Sequence, residues 1–309
     1  MGRFILRRLG YAVLSLWIVV TFTFILMNAV PGGPFTTAKM TPQVKAMLLR
    51  KYNLDRPLWE QYVTLLKDLI RLDLGVSLYE RGRSVNSIVS SCFPVSALLG
   101  AEALTTAVAL GIALGIVAAL YRGKGLDYVA ITIAVIGASV PNFVVAAVLQ
   151  CVVGGMWRIL PIARWGGPAT HVLPAIALGF ATTAGLSRLM RSSMLEVINQ
   201  DYVRTARAKG LTPTQITWRH MIRNAILPVV TVLGPTIAII MTGTLVVERM
   251  FAIPGLGRYY VESIYNRDYT VIMGTTVFYV AFLLLMTFLV DVLYGLIDPR
   301  IRIAGRRGD

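Results

Sequence analysis

Three carboxylates, Glu102, Glu248 and Asp291, stand within or beside long apolar runs. An ionisable group at mid-membrane costs roughly 2.5 to 3.5 kcal/mol to insert, so each is expected to face protein or water. In that setting a carboxylate can touch a moving solute or a coupling proton. The packing alternatives differ from one to the next: Glu248 beside Arg249 reads as an interfacial ion pair, and Asp291, about two turns from the end of its run, reads as a helix contact. Glu102 is the candidate for lining a pathway. The other reactive types make no constellation. Cys92 and Cys151 have no metal or redox spacing, and His171 and His220 fall on opposite sides of the membrane in the topology below. No serine nucleophile elbow occurs, nor a glycine-rich loop ending in Gly-Lys-Ser/Thr, so ATP hydrolysis is not expected here. An intramembrane enzyme lacks its histidine cluster, paired carboxylates or nucleophile motif.

The elements that must hold these carboxylates are membrane helices. Of 309 residues 56% are hydrophobic, against roughly 45 to 50% in a soluble domain. The net charge of +15 is spread around the apolar runs, which argues against a nucleic-acid stripe. Six spans are expected, near 9–30, 95–120, 128–153, 172–189, 226–247 and 271–297, the third interrupted at Pro141-Asn142 and the fifth at Gly234-Pro235. These four interrupting residues are further pathway-lining candidates, because kinked helices are tolerated where protein or a cavity satisfies the freed backbone. The first run is longer than the 7 to 15 or so apolar residues of a cleaved leader and is expected to stay as a helix. With both ends inside, the inner side carries 16 Lys and Arg and the short outer links 5, so the orientation is termini inside. The division expected is 1–30 for the tail and first helix, 31–94 for an external segment with short helices from Thr41-Pro42 and Pro57, and 95–309 for a five-helix core. In the external segment Leu58, Tyr62, Leu65, Leu66, Leu69 and Leu72 form a stripe at helical spacing, read first as a packed face and second as a lip for a delivering protein.

Between the fourth and fifth spans, residues 190–226 are basic and largely polar. The stretch NQDYVRTARAKGLTPTQITWRHMIRNAILP predicts helix, sharp turn, helix. Asp201 is positioned to cap the first helix and Gly210 to take a left-handed end; Thr212, Pro213 and Gln215 have the spacing of a capping box with proline at the first helical position. Arg219 and Arg223 are four apart and share a face. Two short helices cannot bury their apolar faces alone, so a folded loop of this kind needs a surface to rest on.

RTARAKGL followed by NAILP resembles the cytoplasmic EAA loop of the membrane subunits of binding-protein-dependent ABC importers. Arg204 and Thr205 stand where that family usually has Glu and Ala, Ala206 and Gly210 match, and Leu227-Pro228 comes late, which is similar to the peptide-importer branch. LDRPLWEQY with LGVSLYERGRSV, FPVSALLG, FAIPGLGRYYVESIYNRDYTVI and DVLYGLIDPRIRI resemble the same permeases over nearly the whole chain, and the likeness is to the first of the two oligopeptide subunits. The resemblance implies an all-α, non-catalytic permease subunit in the bacterial cytoplasmic membrane. It implies a heterodimer with a related subunit, two ATP-binding subunits that use ATP and Mg, and an extracytoplasmic binding protein that delivers peptide. No cofactor is expected on this chain. The coupling element it implies is Arg204, Thr205, Ala206, Arg207, Ala208, Lys209, Gly210 and Leu211. The same architecture serving dipeptides, nickel or another small solute stays open, as does a proton-coupled secondary carrier using Glu102 or Asp291.

Overall fold

The computed structural model describes residues 2–35, 41–80, 82–242 and 245–297, and all regular structure there is helical apart from one isolated bridge between Val76 and Ser84. Among the described residues four helices are long and apolar enough to cross a membrane: Ile5–Ala29, Val85–Leu120, Ala169–Ile198 and Tyr269–Leu289. Two bent pairs, Gly125–Ser139 with Asn142–Met156 at 112° and Pro213–Ala225 with Leu227–Met241 at 47°, raise the number to six if each is one span. The chain divides into two compact units, residues 1–95 with 254–288 and residues 96–253 with 289–309.

In the first unit lie α1 (Gly2–Ala29), α2 (Pro42–Lys51), α3 (Leu58–Ile70), the start of α4 (Val85–Leu120), and later α13 (Leu256–Asn266) and most of α14 (Tyr269–Ile297). Leu65, Leu66 and Leu69 of α3 pack with Val20, Met273 and Val277, while the Tyr62 and Thr21 hydroxyls lie 2.6 Å apart. The predicted stripe is therefore a packed face over its middle. Leu72 leaves it, because α3 has ended and Leu72 takes φ +59° with its side chain exposed. Buried Asp268, at the corner before α14, accepts hydrogen bonds from the Ser77 hydroxyl and from the backbone N–H of Leu78 and Tyr79, tying the 74–84 loop to that corner. Arg83 of this loop donates to Glu80 and to the Tyr259 hydroxyl, and the Glu80 contact first, then Tyr259, raises its pKa above the ordinary guanidinium value.

In the second unit α5 (Gly125–Ser139) gives way at Val140-Pro141 to α6 (Asn142–Leu149) and a π-helical stretch, Gln150–Met156. The interruption at Pro141-Asn142 is thus far sharper than a kink. Proline has no N–H and disfavours helix in the residue before it, and Val140 is accordingly extended. Next come α7 (Ala169–Ile198), α8 (Asp201–Ala208), α9 (Pro213–Ile216), a second π-helical stretch Thr217–Ile222, α10 (Arg223–Ala225), α11 (Leu227–Thr242) and α12 (Leu245–Met250). Gly234-Pro235 does not break its span as expected; α11 runs through both, and the bend falls earlier, between α10 and α11. Another departure is α4, which begins at Val85 and carries Pro94 inside it, because Val85, Ile88, Val89 and Cys92 bury one face of its first turns.

Helix α7 is the axis of this unit. Close backbone approach to α4 needs the hydrogen side chain of Gly179: a Cβ there would lie 2.7 Å from the carbonyl oxygen of Ala103. Thirteen residues of α7 are buried, among them Leu173, Leu178, Leu186, Met190 and Met194.

Candidate functional site

Helix α7 ends at Ile198 and the chain re-enters helix almost at once. Gln200, extended at φ −75° and ψ 148°, occupies the N-cap position, so Asp201 is the first residue of α8 and not its cap. Its carboxylate still lies in the first turn, where the helix dipole favours negative charge, 3.8 Å from exposed Arg204. The end of α8 is closed in full. Gly210 has φ +77°, its N–H donates to Arg207 O at 3.0 Å, and Leu211 N–H donates to Ala206 O at 3.3 Å, the paired bonds of a Schellman motif. The next helix is closed equally well. Gln215 N–H donates to the Thr212 hydroxyl at 3.3 Å and Thr212 N–H donates to Gln215 Oε1 at 3.1 Å, a complete capping box with Pro213 at the first helical position.

One face of this loop is core. Val203, Ala206, Ile216, Met221, Ile222 and Ala225 are buried in a single cluster with Leu186, Met190 and Met194 of α7, and Leu211 packs against it. The other face is open and basic: Arg204, Arg207, Lys209, Arg219 and Arg223 are exposed. Two aromatics join it, Trp218 at 66% and Tyr202 at 41% exposure. Of the eight coupling candidates, Arg204, Thr205, Arg207, Ala208, Lys209 and Gly210 lie on the open face, Leu211 is half-buried, and Ala206 points into the protein at 4%. Trp218 and Tyr202 escaped the sequence reading. The signal was present, since Trp218 sits among polar residues and off the apolar rhythm of Ile216, Met221, Ile222 and Ala225, but the π-helical register that turns it outward has no sequence mark.

Two side-chain contacts to a carboxylate join α7 to its neighbours. Near its C-terminal end, Arg191 donates from Nε to Asp127 Oδ1 at 2.6 Å and from Nη2 to Oδ2 at 2.9 Å. The Gly123 N–H also donates to Oδ2 at 2.9 Å, and Asp127 is buried at 3%. This two-pronged geometry is the strong form of the Arg–carboxylate contact, and it fastens the 121–125 turn and α5 to α7. At the other end of α7, His171 Nδ1 and Glu102 Oε1 are 2.9 Å apart, and the Trp165 ring lies flat on the imidazole with centroids 3.8 Å apart and planes at 9°. Glu102 Oε2 and His171 Nε2 are both shielded from solvent and have no hydrogen-bond partner among the described residues. Neither pair was expected. Asp127 and Arg191 are 64 residues apart and Glu102 and His171 are 69 apart, and only tertiary packing brings such positions together.

The remaining candidates scatter. Pro141 caps α6 at the sharp bend, and Asn142 donates from Nδ2 to Leu178 O at 3.4 Å. Gly234 is buried and Pro235 exposed within α11. Glu248 is wholly buried in α12, and its sequence neighbours Val247, Phe251 and Ile253 are buried with it. Asp291 lies outside the residues whose side chains are described, and the basic tail lies outside the described residues.

Residues 111–303 match the family model described as binding-protein-dependent transport system inner membrane component, and residues 1–98 match the N-terminal model of the same transport systems. The chain is 47% identical to the dipeptide transport system permease protein of Bacillus subtilis (strain 168), over 98% of this chain and 99% of that one. It is 41% identical to the oligopeptide transport system permease protein of Escherichia coli (strain K12), over 98% and 100%. A solved chain from an amino acid ABC transporter crystallised with histidines superposes with TM-score 0.54 at 16% identity, covering 67% of this chain and 93% of the other; at that identity it speaks for the fold alone.

Proposed function

Because the chain belongs to the family of binding-protein-dependent transport system inner membrane components, we propose that its docking face is the loop α8 to α10 and that this loop couples ATP-driven motion to a peptide pathway. The chain is a multi-pass membrane permease subunit of an ABC importer for peptides, and its relatives, matched over nearly their whole length, are by name permease proteins of dipeptide and oligopeptide transport systems. The observation that carries the coupling role is the loop itself. Both helix ends are capped, its inner face is locked into the α7 core, and its outer face holds exposed cations with two uncovered aromatics. A rigid element with a basic, aromatic face suits a partner surface, since aromatic and Arg side chains dominate interface energetics.

In this reading the termini lie inside a bacterial cytoplasmic membrane and the loop faces the cytoplasm. A related permease subunit pairs with the chain, two ATP-binding subunits use ATP and Mg at the loops, and an extracytoplasmic binding protein delivers peptide. Closure of the ATPases displaces α8. Since α8 shares its core with α7, and α7 is bolted to α5 through Arg191 and Asp127, the displacement passes to both helices together.

Co-purification in mild detergent, with ATP hydrolysis assayed as loaded binding protein is added, tests this. ATP-binding subunits should accompany the tagged chain, dissociate when Arg204, Arg207 and Trp218 are replaced together by Asp, and hydrolyse faster with loaded binding protein. A chain that purifies without an ATPase, or keeps it after that triple replacement, overturns the docking assignment.

A further inference from the structure

We propose that the N-terminal end of α7 carries a receptor for the cationic amino end of a peptide, in which Glu102 takes the ammonium and His171, held flat by Trp165, aims the carboxylate. This deepens the peptide-importer reading and rests on it. The site is built from three separate pieces of chain: α4, α7 and the link before α7.

The chemistry follows from what the pair leaves unused. A carboxylate has room for about four donors, and among the described residues the side chain of Glu102 has one hydrogen-bond contact, with His171 Nδ1. We take the tautomer that places the imidazole proton on Nδ1, toward Glu102, which leaves a bare lone pair on Nε2. The two atoms without partners, Glu102 Oε2 and His171 Nε2, are then both acceptors, and both are shielded from solvent. Acceptors left so are costly, and they are matched by a species that brings only donors. An ammonium is such a species, with three N–H and a positive charge. The Glu102 side chain retains 34% exposure and that of His171 15%, so the pair borders solvent while its two unpartnered atoms lie just beneath, and an ammonium reaches them by a small shift of the Glu102 carboxylate.

Among the parts of a peptide, the amino end is the one this site selects. The free carboxyl terminus is repelled by Glu102, and backbone amides bring one N–H without a charge. Every linear peptide carries an α-ammonium whatever its side chains, so a receptor for it serves a carrier of mixed sequences. Trp165 contributes by position: its ring, stacked on the imidazole, leaves His171 one orientation, and its emission reports on events at the pair.

The test uses the solubilised complex of this chain with its partner subunits, without binding protein, titrated with trialanine, trialanine amide and N-acetyl-trialanine while tryptophan emission is read. Trialanine and its amide should shift the emission with similar midpoints. N-acetylation should raise the midpoint at least about tenfold, as expected for losing a hydrogen bond to a charged group. Glu102→Gln should raise the trialanine midpoint by a similar factor, Glu102→Asp should recover part of it, and Trp165→Phe should remove the shift. Equal midpoints for free and acetylated peptide, an unchanged midpoint in Glu102→Gln, or no response to any peptide overturns the proposal. So does a Glu102→Gln complex that sheds its partner permease while titrating normally, which gives the free acceptors to that subunit. Should Glu102→Gln fail to assemble, the acetylation comparison in the unaltered complex and Glu102→Asp still decide. Peptide uptake by proteoliposomes holding all subunits and binding protein checks the importer reading independently: uptake without amino-end discrimination sinks only the receptor.

Discussion

Helix α7 holds a carboxylate pair near each end, and the two are built to opposite standards. His171 precedes Arg191 by twenty residues, about 30 Å along the helix axis, which is the thickness of a hydrocarbon core. At one end Asp127 receives two guanidinium bonds and a backbone N–H and is almost fully buried. At the other, Glu102 receives one imidazole contact and keeps its second oxygen without a donor among the described residues. A buried polar contact is tolerated when its remaining hydrogen-bonding capacity is filled, and a half-filled one with shielded acceptors is a liability to the resting fold. The satisfied pair therefore reads as a rivet between helices, and the unsatisfied pair as a place kept for something that arrives.

The largest effect is expected at the rivet. Asp127→Ala leaves Arg191 charged, partly buried and without its carboxylate, a change of about 3 kcal/mol or more. Thermal unfolding of the solubilised chain, followed by aggregation, should show a marked loss for the single variant and a smaller one for Asp127→Ala with Arg191→Ala, since the double variant removes the stranded charge. If the double variant is the less stable of the two, the bonds themselves and not the stranded charge set the cost, and the contrast between the pairs weakens.

Next in size is Ala206→Glu in the docking loop. Ala206 sits at 4% exposure in the cluster with Val203, Met190 and Met194, so a carboxylate there is buried without a partner, at a cost above about 2 kcal/mol. Loss of uptake in this variant would come with faster amide exchange throughout α8 and α9. The same replacement at exposed Thr205 should leave exchange as it is and reduce only ATPase association. A smaller step is Gly210→Ala, near 1 kcal/mol for placing a Cβ at φ +77°. Its exchange should quicken around Leu211 and Thr212 while α7 stays protected.

What could be read in advance divides along physical lines. The closures of the docking loop were legible, because Gly210, Thr212, Pro213 and Gln215 act within one turn of themselves and their chemistry needs no distant partner. Asp201 misled for the same reason in reverse. A residue one position inside a helix looks the same in sequence as one at its cap, and only the extended backbone of Gln200 separates them. The break at Pro141 was legible and its 112° was not, since proline forbids the straight path without choosing a new one. Nothing in the local sequence singles out Asp127, and its partner on α7 emerges only once α5 and α7 are packed together. Glu102 stood out on its own, because a carboxylate in an apolar run is conspicuous; His171 and Trp165 did not, because a histidine and a tryptophan in a link between spans are ordinary there.

The smallest effect is the one that sharpens the comparison most. Glu102→Gln takes a charge from a pair that the described residues leave half-satisfied, and its amide offers both a donor and an acceptor toward His171. In the absence of peptide the unfolding temperature should move little, by the equivalent of less than about 1 kcal/mol, and it can rise, because replacing a poorly compensated, partly buried charge by a neutral group is often neutral or stabilising. Set beside Asp127→Ala under the same conditions, this places the two carboxylates at opposite ends of one scale: one whose loss weakens the resting protein and one whose loss does not. A fall in Glu102→Gln as deep as that in Asp127→Ala would erase the difference, and the pair at the N-terminal end of α7 would then be a second rivet whose missing donors come from a neighbouring subunit. An unchanged or raised unfolding temperature, together with a lost response to free-amine peptide, leaves Glu102 as a charge kept at the expense of the resting fold for the sake of the solute.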